Sequence, residues 1–169
     1  QMKHLRRPIH FALSYDEEIG CVGVRSMIDM LARAPFQPMF CIVGEPTSLA
    51  VATGHKGKAA LRVTCRGREA HSALAPQGLN AIYLATDMVA AIRELQAGLI
   101  ERASARREGS EEVGFDVPYT TLHVGTISGG EVLNIVPNQA QFLAEIRNLP
   151  DDDPDAIVAD LRAAAEAVL

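Results

Sequence analysis

An apolar run that stops dead at three acids constrains the first part of this chain more than any other feature. Ile9, Phe11 and Leu13 are β-prone and apolar; Asp16, Glu17 and Glu18 follow, and helical spacing starts just after Gly20. That pattern predicts a buried strand over Ile9 to Ser14 running into a helix over Cys21 to Ala34, where Val22, Val24, Met27, Ile28 and Leu31 recur on one stripe. In open α/β sheets, ligands bind at the carboxyl ends of strands, which is where the three acids fall. Two readings fit them: caps that satisfy orphan amides and complement the helix dipole, or groups placed for chemistry.

Pro35 and Pro38 close the helix, and a second apolar run, Phe40 to Val43, ends in Gly44-Glu45-Pro46-Thr47. Strand, helix and strand in this order predict a βαβ unit with parallel strands and a right-handed crossover. Glu45 then shares a sheet edge with Glu17 and Glu18. Three carboxylates on one edge repel one another unless a cation lies between them. The alternative is that Glu45 merely precedes a turn set by Pro46.

The style changes after Leu49. Thr53-Gly-His-Lys-Gly-Lys is polar and glycine-bearing, suited to a crossing between domains, with His55 and Lys56 as hinge contacts or as functional groups. Ala59 to Arg66 alternates, with Leu61, Val63 and Cys65 set against Arg62, Thr64 and Arg66, as a strand with one wet face does. Gly67 to Gly78 reads as a loop. Asn80 caps a long helix through Leu95 or beyond, and Arg102 to Val117 reads as a frayed end and a flexible loop. Thr120 to Ser128 and Ala140 to Arg147 are strands on either side of Gly129-Gly130, and Asp151 to Pro154 opens a last helix. The second half is therefore strand, helix, strand, strand, helix: an α+β sandwich that lacks one strand of a ferredoxin-like fold.

The 169 residues carry a formal net charge of -5 and no basic run, which leaves nothing to meet nucleic acid. No apolar run approaches the ~20 residues of a membrane span. Cys21, Cys41 and Cys65 form no Cys-x-x-Cys pair and read as small buried residues of a reducing cytoplasm. His4, His10 and His123 lack partner spacing and read as structural. The chain starts without methionine in the approach to a strand, and the expectation is a piece of a longer protein.

Seven motifs in order then resemble one family. Leu13-Ser-Tyr-Asp-Glu-Glu-Ile-Gly, Val43-Gly-Glu-Pro-Thr, His55-Lys-Gly, Gly67-Arg-Glu-Ala-His-Ser-Ala, Gly78-Leu-Asn-Ala-Ile, Gly129-Gly-Glu-Val-Leu-Asn-Ile-Val-Pro and Glu145-Ile-Arg-Asn-Leu-Pro are similar to those of the metallopeptidase family M20 of zinc-dependent deacylases. The resemblance implies α/β plus α+β architecture: residues 1–55 as a βαβ part of a zinc-peptidase-like catalytic domain, and residues 56–169 as a ferredoxin-like lid, without its last strand, that forms a homodimer. It implies hydrolysis of the amide of a small N-acyl amino acid, N-acetylornithine first among the candidates. A desuccinylase, an aminoacylase, a carboxypeptidase or a non-catalytic dimerisation module are the alternatives.

By the same resemblance, Glu17 is the general base, Glu18 and Glu45 are ligands of two zinc ions (or cobalt), and His71 stabilises the oxyanion in the partner's site. Asn134 and Arg147 contact substrate, the arginine through its carboxylate; the alternative for Arg147 is pairing with Glu145 or Asp151. The family's metal site also takes a His-x-Asp motif, a bridging aspartate and a further histidine, and none of these stands in this sequence. The expectation is that this polypeptide alone is inactive and retains zinc weakly.

Overall fold

The computed structural model describes residues 6–107 and 114–168. Contacts divide the chain into two units, Gln1–Ala50 and Val51–Leu169.

The first unit holds one helix, α1 (Val24–Ala32), and no strand among its described residues. The expected strands over Ile9 to Ser14 and Phe40 to Val43 are thus corrected: both stretches lack a ladder partner. The physical reason is that a strand exists only by hydrogen bonding to a neighbour, and an isolated two-stranded unit is marginal in water. Phe11 is 91% exposed and Ile42 83%. Cys21 and Cys41 are likewise exposed, against the expectation that all three cysteines are buried; only Cys65 is.

The second unit runs β1 (Ala59–Arg66), a 3₁₀ turn (Ser72–Gln77), α2 (Ala81–Arg107), β2 (Thr121–Gly129), β3 (Gln139–Arg147) and α3 (Pro154–Val168). The three strands form one antiparallel sheet in the order β1-β3-β2. The central strand, β3, alternates strictly, burying Ala140, Phe142, Ala144 and Ile146 on one face. Period-two burial with the other face open is what an antiparallel sheet covered on one side requires. Phe142 and Ile146 are each 1% exposed, and burial of such side chains stabilises by about 1.5–3 kcal/mol apiece.

α2 covers that face. Ala81, Ala85, Met88, Ile92 and Leu99 are its buried stripe, at helical spacing, and they join Ile157 and Leu161 of α3 in one core. The two alanines carry no bulk, which lets the start of α2 lie close to the sheet. Asn80 caps it as expected, its Oδ1 accepting from the N–H groups of Ile82 (2.9 Å) and Tyr83 (3.3 Å). The helix runs on through Arg107, beyond Leu95 and into the stretch expected to hold its frayed end; residues 108–113 of the expected Arg102 to Val117 loop lie outside the described residues, as does His4. No helix among the described residues is long and apolar enough to cross a membrane.

A polar tie closes the end of the sheet where β2 starts. Buried Thr120 donates its hydroxyl to Asp152 and accepts from the Leu149 N–H at 2.9 Å, while Arg106 pairs with Asp152 at 2.9 Å. Gln96 of α2 donates to the Thr120 carbonyl (3.1 Å) and accepts from the Leu122 N–H (2.6 Å). Partial burial pushes the Asp152 carboxyl up, but the bonds from Thr120 and Arg106 outweigh it and hold the group below the usual carboxylate range.

Candidate functional site

The expected site residues fall into three places. In the first unit, Asp16 takes a left-handed backbone (φ 56°) and opens a turn in which the Glu17 carbonyl accepts from the N–H groups of Gly20 (3.0 Å) and Cys21 (2.9 Å). Glu17, Glu18 and Glu45 are all exposed. With no sheet in residues 6–50, the shared edge that was to align them is not formed. No group of three or more His, Cys, Asp or Glu side chains is placed to hold a metal ion among the described residues. The donors among the described residues therefore do not fit a metal centre by themselves.

The second place is the end of the sheet where β1 finishes and β3 begins. The chain after β1 continues to pair with the chain before β3: Gly67 N–H donates to the Asn138 carbonyl (2.7 Å), Val136 N–H to Ala70 (2.8 Å), and Ser72 N–H to Asn134 (2.9 Å). His71 forms a bridge with Ile135. The structure thus brings His71 and Asn134 together, although 63 positions separate them in sequence. Gly67 lets the chain pass close to Leu79 and Pro137, since a Cβ there would lie 2.0 Å and 2.7 Å from their carbonyl oxygens.

What the sequence reads as a plain loop is a 3₁₀ turn, and His71 is its N-cap. The ring Nδ1 accepts from the Ala73 N–H at 3.2 Å. An acceptor Nδ1 places the proton of the neutral ring on Nε2, so the free side of the ring is an N–H donor. An oxyanion needs such a donor. Beside this end lies an open cavity of about 760 Å³ lined by Glu69, Gly130, Glu131, Ile135 and Asn138 among others; Asn138 donates to Glu69 at 2.5 Å.

The third place is the opposite end of β3. Arg147 closes that nine-residue strand, so at roughly 3.3 Å per residue it stands about 26 Å from Gln139, where the strand begins. Arg147 Nε donates to Glu145, which also faces Lys58 at 3.8 Å. Of the two alternative partners named above, Glu145 is the one found. The Arg147 hydrogen bond, more than the nearby cationic charges, holds the Glu145 carboxyl below the usual range.

Residues 53–169 match the family model of the M20 peptidase dimerisation domain. The chain belongs to the M20 peptidase family. Among its M20 relatives, the acetylornithine deacetylase of Myxococcus xanthus is 33% identical over 92% of this chain and 38% of its own length. That of Vibrio vulnificus is 32% identical over 98% of this chain and 41% of its own. The chain spans about two fifths of the length of these curated relatives. A hydantoinase/carbamoylase family amidase from Burkholderia ambifaria shares the fold, with a TM-score of 0.51 at 20% identity over 68% of this chain and 25% of that one.

Two motif residues have structural work that sequence patterns do not reveal. Lys56 donates to the Tyr119 carbonyl at 2.6 Å and lies over that ring, and burial pushes its ammonium pKa down. Gly57 lies under Asn148, where a Cβ would come within 2.3 Å of the amide oxygen. A signal for both was the His-Lys-Gly wording itself, which gives no hint of what it touches.

Proposed function

We propose that this chain is part of a metal-dependent M20 amidohydrolase that removes the acetyl group from N-acetylornithine, giving ornithine and acetate. In this reading the first fifty-odd residues belong to the catalytic domain, and residues 56–169 are a ferredoxin-like lid through which two copies dimerise. The observation that carries it is identity of 32–33% to acetylornithine deacetylases along 92–98% of the chain. The donor tautomer of His71 supports it, since an amide hydrolase must stabilise a tetrahedral oxyanion.

The roles follow from the chemistry. Glu17 takes a proton from the attacking water and passes it to the leaving amine. His71 Nε2–H donates to the oxyanion, with Asn134 beside it to orient the substrate. Arg147 holds the substrate carboxylate through its planar fork. His71 and Arg147 stand at opposite ends of one sheet, which suits a dimer in which each active site takes His71 and Asn134 from one copy and Arg147 from the other. The family's cofactor is zinc, with cobalt as substitute; Glu18 and Glu45 are the ligands this chain supplies, and they do not suffice alone.

The test is deacetylation of N-acetylornithine by the full-length protein and by this chain, each with added zinc. Turnover by the full-length protein alone is expected. Turnover of a different N-acyl amino acid in its place would keep the mechanism and overturn the substrate.

A further inference from the structure

Arg147 does not stand free on the open face of the sheet. Glu145, two residues earlier on β3, points to the same face and accepts the Arg147 Nε–H, while Ala144 and Ile146 point into the core. The other carboxylate oxygen lies 3.8 Å from the Lys58 ammonium, just before β1, and His123 of β2 is the cross-strand partner of Glu145 in register.

A guanidinium has two edges that can grip a carboxylate with parallel N–H bonds. One pairs Nε with a terminal nitrogen, and the other pairs the two terminal nitrogens. Glu145 takes the Nε–H of the first. We infer that Glu145 is a positioning residue, which locks the Arg147 side chain by Nε and leaves the edge of two terminal nitrogens as the one that meets the substrate carboxylate. The inference rests on the proposed role of Arg147 and adds the direction of recognition and the group that sets it. Without Glu145 the long side chain regains its rotamer freedom, and its charge faces Lys58 with no anion between them.

A double-mutant cycle on the full-length protein tests this, with steady-state kinetics on the N-acyl amino acid. Glu145 lies on the solvent side of the sheet, so its variants keep the core. R147A is expected to raise KM on the order of 100-fold, and E145A on the order of 10-fold with kcat within about threefold. E145Q, which keeps an acceptor oxygen, falls between E145A and the unmodified protein. The double variant is expected to be no worse than R147A alone, because Glu145 acts through Arg147. A raised KM in R147A with an unchanged KM in E145A, or strictly additive effects, overturns the positioning role and leaves the reading of Arg147 intact. An unchanged KM in R147A overturns that reading, and the positioning role with it.

Discussion

His71 is placed by its backbone. The Ala73 N–H that donates to Nδ1 favours the tautomer with its proton on Nε2. On the proposed role of His71 as oxyanion donor, H71A in the full-length protein is expected to lower kcat about 100-fold or more with a small change in KM; a kcat within about threefold of the unmodified protein would contradict that role. Asp152 offers a test in the second unit alone. Its depressed carboxyl contributes stability that is present above the unfolded value of about 3.9 and is lost as pH falls through its lower folded value. Thermal melts of D152N against the unmodified chain should differ by about 1–3 kcal/mol near neutral pH, and the gap should close on acidification; a gap constant down to pH 3 would contradict the assignment. At this scale motifs point to His71 and Asn134 one at a time. Their meeting is not legible, because it is made by the Ser72 to Asn134 backbone hydrogen bond and the His71–Ile135 bridge across a long sequence gap.

At the scale of elements, the second unit follows its pattern closely because each strand pairs within it. Alternation over Ala59 to Arg66 and Gln139 to Arg147 needs only a partner and a core, and β3 supplies the partner for both neighbours. F142A is expected to destabilise by about 3–5 kcal/mol in urea unfolding, since Phe142 sits where α2, α3 and the sheet share one core. N80A should cost about 1 kcal/mol through the lost cap of α2. An F142A loss no larger than that of N80A would contradict this core. The first fifty residues miss their predicted strands for the same reason in reverse: Ile9 to Ser14 and Phe40 to Val43 have the apolar content of buried strands and no ladder to join.

For the whole molecule, Phe11, Leu13, Ile42 and Val43 leave large apolar side chains of the first unit uncovered. Limited proteolysis of this chain is therefore expected to cut within residues 6–50 before it cuts within α2 or the sheet; the reverse order would contradict the two-unit description. His71 and Arg147 are separated by the length of β3, in keeping with the proposal that a working site draws on two copies. Mixing full-length E17A and H71A subunits tests it directly. A heterodimer that lends His71 across its interface rebuilds one intact site, so random mixing should restore about a quarter of the unmodified activity from two inactive parents. Mixtures that exchange subunits and stay inactive would show that Glu17 and His71 must come from the same copy, contrary to a site shared across the dimer.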